Sequence, residues 1–118
     1  MSQNFLKTTT ASGLSIEINS GFDRVLGELF VNVNVLSDVP DEDNVSEAIE
    51  RELQTISLLQ SERPDNAAQI AYGLGQLGVK VPQSMLDAIE DDRSANRGNS
   101  VRVFNVDGTL QASLGLES

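Results

Sequence analysis

Cysteine, histidine and tryptophan are all missing from this chain, and their absence removes much of the familiar enzymology. Without cysteine there is no disulfide and no thiolate nucleophile, and no compartment can be inferred from cysteine usage. Without His and Cys together, neither a structural zinc site nor a Ser-His-Asp or Cys-His system is expected, so any metal would be a hard cation held by oxygens. Aromatic residues make up only 4% of the 118 residues. The expected core is therefore Val, Leu, Ile and Ala, with Phe22, Phe30, Phe104 and Tyr72 as its large pieces. No run reaches the roughly 18 apolar residues that a membrane span needs. The N-terminal stretch lacks the basic-then-apolar layout of a secretory signal. A soluble cytoplasmic protein is the expectation, with residues 1–12 a polar lead-in and residues 13–116 a single domain.

What is abundant is acid. The net charge is −10, and it is concentrated. Residues 38–52 hold seven acids (Asp38, Asp41, Glu42, Asp43, Glu47, Glu50 and Glu52) against Arg51 alone, a net of −6. Residues 87–97 add Asp87, Glu90, Asp91 and Asp92 against Arg93 and Arg97, a net of −2. Such a field repels nucleic acid and anionic membranes and attracts basic surfaces.

The apolar residues follow two periods. Leu14, Ile16 and Ile18 alternate with Ser15, Glu17 and Asn19, the period of a half-buried strand. A turn-rich connection, 19–24, leads to a second strand over 28–36, with Leu29, Val31, Val33 and Val35 on one face. Asn44 then has the position of a helix N-cap, with Glu47 at capping-box spacing. The stripe Val45, Ala48, Ile49, Leu53, Ile56 and Leu59 predicts a helix that Pro64 ends by about Glu62. A second helix begins near Asp65 with Ala67, Ile70, Ala71, Leu74 and Leu77 on one stripe and Gly78 as its stop. Gly73 and Gly75 weaken it, unless their small size serves close packing. A short third helix carries Met85, Leu86 and Ile89, and 91–100 reads as a polar loop.

The chain closes on alternating apolar runs split by Asp107-Gly108. The stretch Val103-Phe-Asn-Val-Asp-Gly-Thr-Leu110 is similar to the phosphoryl-transfer signature of haloacid-dehalogenase-type phosphatases, with Asn105 where that family carries its nucleophilic Asp. Asn is a poor phosphoryl acceptor, and no parallel α/β core with the remaining catalytic residues is expected after Leu110. Asp-Gly is instead a two-residue hairpin signal. In that register Val106 faces Thr109, Asn105 faces Leu110, Val103 faces Ala112 and Val101 faces Leu114. One face is then Val101, Val103, Leu110, Ala112 and Leu114. The sum is an α+β fold of order ββαααββ, an antiparallel sheet of two hairpins with about three helices packed on one face.

A calcium loop starting at Asp41 breaks at its third ligand, Val45, and has Ser46 where Gly is required, so an acidic capping loop is expected. A helix-turn-helix over 67–89 would present Asp87, Glu90, Asp91 and Asp92 to phosphates, the wrong sign. Carboxylate pairs drawn from Glu17, Asp23 or Glu28 have no spacing that implies a cleft. No catalytic residue, cofactor or metal site is expected. The expected function is non-enzymatic: a small acidic interaction protein that binds and occludes a basic, nucleic-acid-binding protein partner, with no direct nucleic-acid or membrane binding. The predicted contact patch is Asp41, Glu42, Asp43, Glu47 and Glu50, with Asp87, Asp91 and Asp92 as a second. In type this resembles the nucleic-acid mimics among anti-CRISPR and anti-restriction inhibitors of phages and plasmids, and immunity proteins against nuclease toxins. The alternative is a small-ligand or sheet-edge binding module, possibly a homodimer. Its site would lie around Phe22, Asp23 and Arg24, or on the sheet face carrying Arg102, Phe104 and Gln111.

Overall fold

The computed structural model describes residues 2–36, 47–61, 63–96 and 100–115. Three strands come first: β1 (Ser2–Thr9), β2 (Ser15–Asp23) and β3 (Glu28–Val35). Three helices follow, α1 (Glu47–Ser61), α2 (Ala67–Gly75) and α3 (Gln83–Ser94), and then β4 (Ser100–Phe104) and β5 (Leu110–Gly115). The fold is α+β, as expected. The sheet, however, has five strands in the order β3-β2-β1-β4-β5 and is mixed, because β1 and β4 run parallel while every other pair is antiparallel. The order is thus βββαααββ rather than ββαααββ.

The fifth strand is the segment expected to be a lead-in. Ser-Gln-Asn-Phe-Leu-Lys-Thr-Thr has little apolar alternation, yet β1 is the central strand, with Ser2, Asn4 and Leu6 fully buried. A buried Ser or Asn is tolerated only where its polar atoms are bonded, and here they are. Asn4 Nδ2 donates to the Ser20 carbonyl at 3.1 Å, and Ser2 Oγ accepts the Phe22 N–H at 2.9 Å. Residues 19–23, expected as a turn, continue β2 instead, and the reversal falls at 24–27.

Register places Leu6, Ile16, Ile18, Phe22, Leu29, Val31 and Val33 on one face, where they join Ile56, Ile70, Leu74, Met85 and Ile89 of the helices in a single apolar core. Burying a side chain of this kind stabilises the fold by about 1.5–3 kcal/mol. α1 lies against β3, and α3 against β1 and β2. Asn66 caps α2, its Oδ1 accepting the Gln69 N–H at 2.9 Å. Gly73 sits against Leu59 of α1 so closely that a Cβ would overlap it, whereas Gly75 faces open space. Only the first of these glycines therefore serves helix packing. Tyr72, expected in the core, is 74% exposed, and Ala48 faces outward. α3 runs on to Ser94, through part of the expected loop. The N-cap expected at Asn44 lies outside the described residues, as do Val45 and residues 97–99.

The reversal falls at Asp107-Gly108, as expected, but the turn is not the expected two-residue type I′. Asn105 N–H donates to the Thr109 carbonyl at 2.8 Å and Gly108 N–H to the Asn105 carbonyl at 2.9 Å, so the loop is Val106-Asp107-Gly108, three residues rather than two. Among these only Gly108 has positive φ (+92°), whereas a type I′ turn would need it at Asp107 as well. Phe104 then faces Leu110, and a bulge restores Val103 opposite Ala112 and Val101 opposite Leu114. The outer pairs are as expected, and the inner ones are shifted by one. A second consequence is larger. Parallel pairing of Asn4 with Arg102 and Leu6 with Phe104 turns Arg102 and Phe104 toward the helices. The Val101, Val103 and Ala112 side, which the pattern marks as core, faces away from them.

Candidate functional site

Exposed acids were the predicted site, and the structure divides them. Glu47 and Glu50 stand exposed on the first turn of α1. Glu47 pairs with Arg51 at 3.6 Å, an i,i+4 bridge in which both side chains are largely solvated and which is worth under about 1 kcal/mol. Asp87 and Asp91 are exposed on α3, with Asp87 accepting from Gln83 Nε2 at 2.9 Å. Asp41, Glu42 and Asp43 lie outside the described residues. The end of α3 that carries Asp91 lies away from the start of α1, whereas Asp87 lies one turn from Ser84, whose hydroxyl donates to the Gly108 carbonyl at the hairpin tip. α1 starts near the β1–β2 turn, where Glu52 meets Thr10 and Ser12. The end of α3 lies at the far end of the sheet, where Asp92 meets Asn4 and Arg102. Asn4 and Thr10 are six residues apart along the strand direction, about 20 Å.

Asp92 does not belong to that surface. It is fully buried and ion-paired with Arg102, whose Nη1 donates to Oδ1 at 3.0 Å and Oδ2 at 2.8 Å. Arg102 Nη1 also donates to Asn4 Oδ1 at 3.2 Å, and Asn4 Nδ2 reaches Asp92 Oδ2 at 3.4 Å. One carboxylate thereby ties α3 to β1 and β4. The signal for its burial was present, since Asp92 stands seven residues after Met85 and three after Ile89, on the apolar stripe of the helix. Glu52 is the parallel case. Four residues before Ile56, it is buried and accepts from the Thr10 hydroxyl at 2.5 Å and the Ser12 N–H at 3.1 Å. Both acids, counted as surface charge in the sequence, are spent on internal bonds.

The alternative site resolves into structure as well. Phe22 is buried, and Asp23 Oδ1 accepts the Val25 and Leu26 N–H groups at 3.0 and 3.3 Å, closing the β2–β3 turn. This turn presents Val25 and Leu26 to solvent, 91% and 57% exposed. Glu28 pairs with Arg63 at 3.4 Å. Arg93 bonds both Glu90 and the Asp65 carbonyl. A recess of about 150 Å³ between them holds Glu28, Asp65, Arg63 and Arg93, and both guanidinium groups are engaged by these partners. A wider cleft of about 410 Å³ opens between α1 and α2. Val31, Leu58, Leu59, Ile70 and Tyr72 line it, with Thr55, Arg63, Gln69 and Gln76 as its polar members.

The phosphatase-like stretch contains a bonded turn. Asn105 Nδ2 donates to Thr109 Oγ1 at 2.8 Å, and Thr109 donates to Asp107 Oδ1 through its hydroxyl at 2.6 Å and its N–H at 2.9 Å. These bonds, the hydroxyl's first, hold the exposed Asp107 carboxyl below the ordinary aspartate range. Among the described residues no group of three or more acidic side chains is placed to hold a metal ion. No helix among them is long and apolar enough to cross a membrane. No family model, curated protein or solved structure matches the chain.

Proposed function

We propose that this protein is a non-enzymatic interaction module that docks on a basic protein partner through the outward carboxylates of α1 and α3. The observation that supports this reading is the division of the acids. Asp92 and Glu52 are used inside, while Glu47, Glu50, Asp87 and Asp91 stand exposed on a chain of net charge −10. Carboxylates arrayed on a helix surface attract cationic patches over several ångströms and raise association rates. They are suited to occupy a nucleic-acid-binding surface where phosphates would otherwise sit. α1, with Glu47 and Glu50 together on its exposed first turn, carries the primary contact.

The test is retention of a basic protein from host lysate on the immobilised chain at about 50 mM salt and its release by about 500 mM, as screening of exposed charges requires. The double variant Glu47→Lys with Glu50→Lys should retain none of it while melting as the parent does. Retention unaffected by this charge reversal would overturn the reading.

A second reading, a small-ligand module, is favoured by the cleft between α1 and α2. Its volume of about 410 Å³ falls within the range of ligand pockets, about 300–1,000 Å³. Tyr72, the one tyrosine of a chain without tryptophan, lines it and reports occupancy directly by its fluorescence. Apolar fragments that shift this signal without regard to salt would support the second reading over the first.

A further inference from the structure

The sheet has two edges, and among the described residues only that of β3 is covered. At β3, Gln60 Nε2 of α1 donates to the Val33 carbonyl at 2.7 Å, and α1 packs along the strand. Among the described residues no helix packs substantially on β5, and the strand's outer backbone groups meet no partner there. Proteins usually protect such an edge with Lys, Pro, an inward charge or a covering element. Leu110-Gln-Ala-Ser-Leu-Gly115 contains no ionisable residue and no proline.

Charge selects the occupant. From Ser100 to Gly115 the ionisable residues are Arg102 and Asp107, and Arg102 is neutralised beneath the sheet by Asp92. The hairpin's one outward charge is Asp107 at its tip, and β5 itself is an uncharged strand on a chain of net charge −10. A basic partner is not drawn to β5, whereas two like-charged copies meet less repulsion along an uncharged strand. On and beside it lie exposed apolar groups, Val106 and Leu110 at 63% and 51% exposure and Ala112 on the open face.

We infer that β5 is an interface between two copies of this chain, paired edge to edge and antiparallel across a two-fold axis beside Ala112 and Ser113. The arrangement is isologous, as a closed dimer requires, and it joins two five-stranded sheets into one of ten strands. The inference is independent of the acidic docking surface, and salt separates the two. Docking on a basic partner weakens with salt, while pairing of two copies strengthens as their mutual repulsion is screened.

Sedimentation velocity over a hundredfold concentration range should show a monomer–dimer equilibrium whose dissociation constant falls about tenfold between low and high salt. Ala112→Lys sets two ammonium groups beside the axis and should weaken the dimer at least tenfold, with an unchanged circular dichroism melt. Because the chain has no native cysteine, Ser113→Cys should cross-link rapidly under mild oxidation, and Gln54→Cys, on the exposed face of α1, should not. A monomer at every concentration and salt overturns the inference. So does a dimer indifferent to Ala112→Lys that cross-links equally well through position 54.

Discussion

The two halves of the sheet are built on different terms. In the β3-β2-β1 half, one face lies beneath the helices and is filled by Ile16, Ile18, Leu29, Val31 and Val33, all below 5% exposure. In the β4-β5 half, Phe104 and Arg102 turn inward, while Val101 and Val103 are half-exposed on the far side and Leu110 and Ala112 are exposed. The first half is held by apolar burial. The second is held by pairing to β1, by the Asp92–Arg102 pair and by the Ser84 hydroxyl donating to the Gly108 carbonyl at 2.6 Å. A hydrophobic pattern therefore does not by itself tell which side of a strand is covered. On β4 a polar side chain points inward because a buried partner awaits it.

This contrast can be broken or sharpened by substitution. The largest effect should come from the ionic tie. Asp92→Ala leaves the Arg102 guanidinium without its carboxylate and should cost about 3–5 kcal/mol in urea unfolding. A loss under about 1 kcal/mol would mean that β4 is anchored by strand pairing alone. Next come paired apolar truncations. Ile18→Ala should cost about 2–5 kcal/mol, as buried large-to-small changes do. Val101→Ala, on the open face, should fall near the surface range of about 0.5 kcal/mol. Equal losses would erase the distinction between the halves. Smaller still is Gln60→Ala, which removes a single hydrogen bond from the closed edge and should cost about 0.5–1.5 kcal/mol. If pairing at β5 reflects an unprotected edge, the same variant should raise self-association by exposing β3 as well.

The smallest effect is a titration. Asp107, with its carboxyl lowered by the Thr109 hydroxyl and N–H, should titrate in an NMR experiment with a midpoint below that of an ordinary aspartate. A lowered folded-state pKa contributes stability that is present above the unfolded value and is lost as pH falls through the folded one. Thr109→Val should return the midpoint toward the ordinary range and loosen the tip of the β4–β5 hairpin.

Much of the local structure was legible in the sequence. The alternation at 14–18 and 28–35, the apolar stripes of the three helices and a reversal at Asp107-Gly108 are written in neighbouring residues. Even the burial of Asp92 and Glu52 was visible as acids on apolar stripes, once helical spacing is applied to charges as well as to apolar groups. The candidate docking residues on α1 and α3 followed from charge and helical phase, but their arrangement did not, because the crossing of two helices over a sheet is set by packing.

By itself the sequence determined what 3.6-residue and two-residue periods determine: three helices, the β2–β3 hairpin, the position of the last turn, and a strongly acidic surface. Tertiary structure alone decided that Ser2–Thr9 is the central strand, that β4 runs parallel to it and that Arg102 faces inward. The physical reason is common to all three. Burying a Ser, Asn or Arg is costly unless it is bonded there, and the partners of Ser2, Asn4 and Arg102 (Phe22, Ser20 and Asp92) stand between 10 and 88 residues away in the chain. No local pattern contains a bond that only the folded chain can close.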